Sequence, residues 1–112
     1  MDGNQRWSKI NKIPVTKGYM KGLYKIEEIV EYCIKKKIKN LTVYALSTEN
    51  IKRTSVNIIF KIIKNQYIEF LKKIDTKYKV RIKIIGEKNN LPKNIKEIFT
   101  KIKKKTEANK DL

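Results

Sequence analysis

The sequence contains very little cysteine and no long apolar segment. Its one cysteine, Cys33, cannot form an internal disulfide. It falls in an apolar helical pattern, so we expect a buried thiol in a reducing compartment. No apolar run approaches the roughly 20 residues that a membrane-spanning helix needs. The polar amino terminus predicts no signal peptide, and together these features predict a cytoplasmic protein.

Acidic residues are also scarce. There are 11 Asp and Glu against 28 Lys and Arg, for a formal net charge of +17 at pH 7. Such a surface attracts nucleic acid, acidic lipid headgroups and phosphates. The lysines are spread along the whole chain, however, and the runs at 35–37 and 103–105 fall near predicted helix ends, where cations favour the helix dipole. We therefore favour a solvated surface over a dedicated nucleic-acid patch, and peripheral association with acidic membranes stays an alternative.

The apolar periodicity predicts helices separated by short strands. The predicted elements are, in order, a loop over 1–17, a helix from Gly18 to about Asn40, a strand over 41–46, a helix from Ser55 to about Lys73, a strand over 80–85 and a helix from about Pro92 to Lys105. Strands that alternate with helices predict an α/β fold, a partial parallel sheet flanked by helices. Two parallel strands leave both sheet edges unpaired, so we expect a single incomplete domain over residues 1–112.

Polar residues with ligand-binding chemistry occur first at the amino terminus. Asp2 supplies a carboxylate for a hard cation such as Mg²⁺, and Arg6 can hold a phosphate through two hydrogen bonds. Gly3 lets the backbone approach a ligand closely, and Gly18 is expected to open a helix whose free N–H groups form an anion site. Asp-Gly-Asn is also ordinary turn chemistry, and Trp7 could simply cover the core. This segment alone does not identify a site.

A second polar segment follows the first predicted strand. It carries two hydroxyls, an acid, an amide and a guanidinium at Ser47, Thr48, Glu49, Asn50 and Arg53. In open α/β sheets, ligands bind beyond the carboxyl ends of the strands. The same residue types are common in loops, and Arg53 could be a solvated charge. For this segment alone, an ordinary loop remains the simpler interpretation.

The two segments in combination resemble the cis-prenyltransferases of the undecaprenyl diphosphate synthase type. MDGNQRW is similar to that family's aspartate-glycine-asparagine-x-arginine-tryptophan segment, and KGYMKG is similar to its glycine-histidine-lysine-x-glycine helix start. LTVYALSTENIKR is similar to its strand leading into Ser-x-Glu-Asn-Trp-x-Arg. VRIKIIGE and TEANKDL resemble later segments in the same order, so the resemblance covers the whole chain.

The resemblance implies a transferase that joins isopentenyl diphosphate to an allylic diphosphate such as farnesyl diphosphate, lengthening a cis-polyprenyl chain. It implies that Asp2 is catalytic and binds Mg²⁺, and that Asn50 accepts a proton. The residues implied to bind substrate are Gly3, Asn4, Gln5, Arg6, Trp7, Ser47, Thr48, Glu49, Ile51 and Arg53. It also implies helices that line a tunnel for the growing chain, a homodimer formed largely through later elements, and no nucleic-acid partner.

The chain departs from the family's pattern at three matched positions. Tyr19 stands in place of a histidine, Val15 in place of an arginine and Ile51 in place of an aromatic residue. Two diphosphate contacts and one packing contact are thereby altered, and Tyr19 can donate one hydrogen bond but is not a cation. The family's first strand and its arginine-rich segment for isopentenyl diphosphate have no match. We therefore expect a truncated chain that is inactive by itself; an enzyme with misassigned ends and a small basic binding protein are the alternatives.

Overall fold

A computed structural model describes residues 3–45, 56–77 and 79–112. The helices in these ranges are α1 (Asn4–Ile10), α2 (Val15–Lys35), α3 (Val56–Thr76) and α4 (Lys93–Thr106). Helix α1 packs against α2, α2 against α3, and α3 against α4. The three long helices lie where the apolar periodicity predicts them.

Helix α1 corrects the expectation of a loop over residues 1–17. Gly3 caps it with φ +86°, and the Trp7 amide donates to the Gly3 carbonyl at 2.8 Å. The breakers that predicted a loop lie between the helices, because Asn11 ends α1 and Pro14 caps α2. A helix of 7 residues is not stable by itself, so its packing against α2 stabilises it.

Helix α2 begins three residues before the predicted start at Gly18. Pro14 precedes its first residue, Val15, at a position where a missing backbone N–H removes no helical hydrogen bond. The predicted apolar face is buried or half-buried throughout, at Tyr19, Leu23, Ile26, Val30, Cys33 and Ile34. Cys33 itself is buried, which confirms the predicted core thiol.

Two ion pairs join α2 to the end of α3 and to Lys77, the residue directly after it. Lys73 Nζ lies 2.7 Å from both carboxylate oxygens of Glu27, and Lys77 Nζ lies 2.7 Å from Glu31 Oε1. Each pair spans 46 positions, and from one pair to the next both partners lie four residues further along the chain. The two helices therefore run in the same direction, as helices on one face of a parallel sheet do.

The segment that follows α3 is held by the end of the chain. The buried Thr106 hydroxyl accepts a hydrogen bond from the Ile82 amide at 3.0 Å and donates to the Ile102 carbonyl at 2.8 Å. Further bonds run from Asn109 Nδ2 to the Val80 carbonyl, from the Arg81 amide to the Leu112 carbonyl and from the Asp111 amide to the Lys79 carbonyl. The residues around 80 and those around 111 thus run side by side in the same direction.

No strand is assigned at the described residues 41–45 or 79–85. The partial parallel sheet therefore stays a prediction. Across residues 3–45, 56–77 and 79–112, no helix combines the length and the apolar character that crossing a bilayer requires.

Candidate functional site

The amino-terminal motif forms the first turn of α1. Gly3 adopts φ +86°, a conformation that residues with a side chain rarely adopt, so glycine is needed at this cap. Arg6 Nη2 lies 3.6 Å from the point that a Cβ on Gly3 would occupy. The guanidinium therefore folds back over the cap, towards the part of the chain that precedes the helix. The Trp7 side chain is 42% exposed.

The Asn4 and Gln5 side chains meet α2. Gln5 Nε2 donates a hydrogen bond to the Tyr19 hydroxyl at 3.2 Å. The Asn4 amide lies against Gly22, with Asn4 Oδ1 at 2.8 Å from the point that a Cβ on this glycine would occupy. Tyr19, which stands where the resembling family has histidine, thus accepts a hydrogen bond from the candidate substrate-binding turn.

Helix α1 approaches α2 most closely at Gly18. A Cβ on this residue would lie 1.8 Å from Ser8 Oγ and 3.0 Å from the Asn4 carbonyl oxygen. Ser8 is 0% exposed, and its hydroxyl donates to that same carbonyl at 2.8 Å. The absence of a side chain at Gly18 is therefore what lets the two helices touch.

The prediction that Gly18 opens a helix with free N–H groups is wrong. The Gly18 amide donates to the Pro14 carbonyl at 3.3 Å, because α2 already begins at Val15. The residue that aligns with a basic family position, Val15, is thus the first residue of α2 and is half-buried. Gly18 contributes to the site by close packing and not by binding an anion.

The sequence interpretation missed Ser8 and Gly22. Gly18 and Gly22 are four residues apart, which places both on one face of a helix. Two glycines on one helical face are a signal for close approach by a neighbouring segment, and this signal was available in the sequence. Nothing local marks Ser8, because its burial depends on which helix packs over it.

The remaining candidate residues lie outside the described part of the chain. These are Asp2, Ser47, Thr48, Glu49, Asn50, Ile51 and Arg53. Their assigned roles, and the meeting of the two polar segments at one ligand, stay predictions. Across residues 3–45, 56–77 and 79–112, no group of three or more His, Cys, Asp or Glu side chains could hold a metal ion.

The described turn is chemically suited to an anion with several oxygens. Its side chains are the Arg6 guanidinium and the amides of Asn4 and Gln5, and no carboxylate occurs from Gly3 to Ile10. An arginine fork can hold two phosphate oxygens at once, and an amide can donate to a third. The guanidinium and the amides can therefore bind an anion and, at Arg6, neutralise part of its charge.

Comparison with known proteins identifies the family. The family model described as "Putative undecaprenyl diphosphate synthase" matches residues 1–112. A tritrans,polycis-undecaprenyl-diphosphate synthase (geranylgeranyl-diphosphate specific) from Thermoplasma volcanium is 39% identical over 111 residues, which cover 96% of this chain and 43% of the relative. Enzymes of the same name from Pyrococcus horikoshii and Pyrococcus furiosus are 37% and 40% identical, covering 95% and 87% of this chain.

The chain therefore belongs to the undecaprenyl diphosphate synthase family of cis-prenyltransferases, as its sequence motifs predict. It spans about two fifths of the length of these curated relatives, namely 43%, 41% and 38%.

Proposed function

We propose that this chain binds the diphosphate of an allylic substrate for cis-prenyl transfer, at the first turn of α1. In the reaction, the bond from the allylic carbon to its diphosphate breaks and a new bond to isopentenyl diphosphate forms. The leaving diphosphate gains negative charge, which nearby cations and hydrogen-bond donors stabilise. The single observation that carries the proposal is the Arg6 guanidinium folded over the Gly3 cap, with the Asn4 and Gln5 amides in the same turn.

The three side chains project from one turn of helix. Residues 4, 5 and 6 are consecutive in α1, and Gln5 is held at its far end by Tyr19. A ligand at the cap therefore meets a guanidinium and amides whose backbone positions are set by packing on α2. Such positioning lowers the entropy that binding must overcome.

Mg²⁺ is the metal that the family resemblance implies, and Asp2 is the residue that would hold it. Mg²⁺ commonly binds through one or two carboxylates together with substrate phosphates and waters. The one carboxylate directly before Gly3 fits that donor chemistry, and the phosphates of the ligand would supply further oxygens. The ion would neutralise charge on the diphosphate, while Arg6 would do the same from the protein side.

The second polar segment completes the proposal. Asn50 would accept the proton that the isopentenyl unit loses once the new carbon–carbon bond has formed. Ser47, Glu49 and Arg53 would contact the second substrate. Isopentenyl diphosphate is the second substrate, and the allylic partner would be a farnesyl or geranylgeranyl diphosphate. The relatives named above support geranylgeranyl diphosphate, since those enzymes are called geranylgeranyl-diphosphate specific.

A binding experiment tests the role of Arg6. Geranylgeranyl diphosphate would be titrated calorimetrically into the 112-residue chain in buffer containing Mg²⁺, and compared with Arg6→Gln. Losing a charge-assisted hydrogen bond costs about 1.5–3 kcal/mol, so Kd should rise roughly 10- to 100-fold. Arg81→Gln is the matched control, because Arg81 is an exposed arginine next to the carboxyl-terminal segment, and it should leave Kd within about twofold.

Equal Kd values for the unmodified chain and Arg6→Gln would contradict the proposal. Product formation is measured separately with labelled isopentenyl diphosphate added to the same mixture. We expect binding without condensation from a polypeptide of these 112 residues, because the arginine-rich segment for isopentenyl diphosphate has no match among them. Polyprenyl product would refute that expectation while leaving the allylic site intact.

A different candidate function is peripheral binding to acidic membrane surfaces. One observation favours it: an open groove of about 490 Å³ is lined by Ile34, Lys37, Ile38, Lys39, Lys110 and Asp111. Apolar and cationic side chains there could contact lipid tails and anionic headgroups. Such binding would fall steeply with added salt and would not need Mg²⁺. Diphosphate binding that requires Mg²⁺ and Arg6 would favour the enzyme proposal instead.

A further inference from the structure

We infer that Gly22 and Tyr19 of α2 are positioning residues for Asn4 and Gln5, so that the face of α2 sets the geometry of the diphosphate-binding turn. This inference rests on the proposed function of that turn. Its basis is the pair of contacts that α2 makes with the two amide side chains. Neither α2 residue needs to touch the ligand for this role.

Gly22 leaves the space that the Asn4 amide occupies. A Cβ at this position would lie 2.8 Å from Asn4 Oδ1 and 3.4 Å from both Cγ and Nδ2. A real Cβ essentially never lies that close to an oxygen, so a side chain here must push the amide away. Among the hydrogen bonds between described residues none involves this amide, and the ligand of the proposed site would supply its partner.

The clash at Gly22 differs in kind from the clash at Gly18. At Gly22 the nearest atoms all belong to the end of one flexible side chain, which can swing aside. At Gly18 the nearest atoms include a buried hydroxyl and a backbone carbonyl, and these groups cannot swing aside. Alanine at Gly22 should therefore move a candidate ligand-binding group without unfolding the protein, and it should also favour the helix intrinsically.

Tyr19 acts in the same way on Gln5. Its hydroxyl accepts from Gln5 Nε2 at 3.2 Å, across the contact between α1 and α2. The hydrogen bond fixes the end of a side chain that otherwise has three rotatable bonds. Removing the hydroxyl while keeping the ring would release the amide and leave the packing of α2 nearly unchanged.

The test separates positioning from stability through one substitution. Gly22→Ala should weaken geranylgeranyl diphosphate binding in Mg²⁺ buffer about 3- to 10-fold, the loss of one neutral hydrogen bond, while Tm stays equal or rises. In an Asn4→Ala background the same Gly22→Ala change should leave Kd unaltered, because no amide remains to be displaced. A merely structural glycine would lower Tm and would act equally in both backgrounds.

Tyr19→Phe provides the second measurement. It should weaken binding about threefold in the unmodified chain and have no effect in a Gln5→Ala background. Tyr24→Phe is the matched control, because Tyr24 is half exposed on the same helix and lies beside Lys73. A Tyr19→Phe effect that persists without Gln5 would mean direct ligand contact and would overturn its positioning role.

The outcomes distinguish this inference from the proposed function. Tight binding by both the unmodified chain and Gly22→Ala overturns the positioning role of Gly22 and leaves the site proposal in place. No binding by the unmodified chain, with Mg²⁺ present, overturns the proposed function and the positioning role together. Weak binding by Gly22→Ala with a lowered Tm identifies a folding defect and also overturns the inference.

Discussion

Replacing Gly18 with alanine should destabilise the protein although alanine is the better helix former. The new Cβ would lie 1.8 Å from Ser8 Oγ, 3.2 Å from Ser8 Cβ and 3.0 Å from the Asn4 carbonyl oxygen. Ser8 is 0% exposed and is held by its hydrogen bond to that carbonyl, so it has no free space to move into. Either α1 moves away from α2 or the hydroxyl loses its partner.

The size of the effect follows from two opposing terms. Overpacking a close contact destabilises proteins by about 1–3 kcal/mol, and a contact of 1.8 Å belongs at the upper end. Alanine in a helix interior is more favourable than glycine by about 1 kcal/mol of folding free energy. The net loss should be about 2 kcal/mol, which lowers Tm by roughly 10 °C in a chain of this size.

Thermal unfolding followed by circular dichroism measures this loss directly. Gly22→Ala is the control, since its Cβ meets only the end of the Asn4 side chain, and its Tm should not fall. Ser8→Ala combined with Gly18→Ala should recover part of the loss, because it removes the atom in the shortest contact. A Gly18→Ala protein as stable as the unmodified chain would refute the close α1–α2 packing.

Two further predictions concern the rest of the described fold. Lys73→Glu should lower the free energy of unfolding by at most about 1 kcal/mol, because the ion pair of Lys73 with Glu27 is partly exposed, and adding Glu27→Lys should restore the lost stability. Urea unfolding of the unmodified chain, the two single variants and the double variant checks this. If the effects of the two single changes simply add in the double variant, the contact is absent. Thr106→Val should lower the free energy of unfolding by about 1–3 kcal/mol, because it leaves the Ile82 amide without its acceptor. Thr106→Ser keeps the hydroxyl and should retain most of the stability in the same assay. Equal losses of stability in both variants would exclude the hydroxyl as the cause.

Helical periodicity explains why the long helices were predictable. In α4, the apolar stripe at Ile95, Ile98, Phe99 and Ile102 recurs at the spacing of helical turns, and all four residues are buried or half-buried. The pattern is local, so it can be found without knowing what covers the stripe. The start of α2 was predicted less accurately than those of α3 and α4, since Gly18 was taken for a boundary that Pro14 in fact provides.

The candidate site was predictable in its residue types and less so in its geometry. Phosphate binding favours guanidinium, amide and glycine close together, and these types are visible in residues 3–6 without any structure. Their arrangement as a helical turn was not visible, because Gly3 and Asn4 are typical of turns. The residues that contact this turn from the other side, Tyr19 and Gly22, belong to a different helix.

The sequence by itself determined the family, the apolar faces of the three long helices and the burial of Cys33, because each depends on local order and spacing along the chain. Only the tertiary structure decided that residues 4–10 form a helix and that Lys73 pairs with Glu27, 46 positions away. The physical reason is that a helix of two turns gains its stability from the surface it packs against. Which surfaces meet is set by the whole fold, and no short stretch of sequence contains that information.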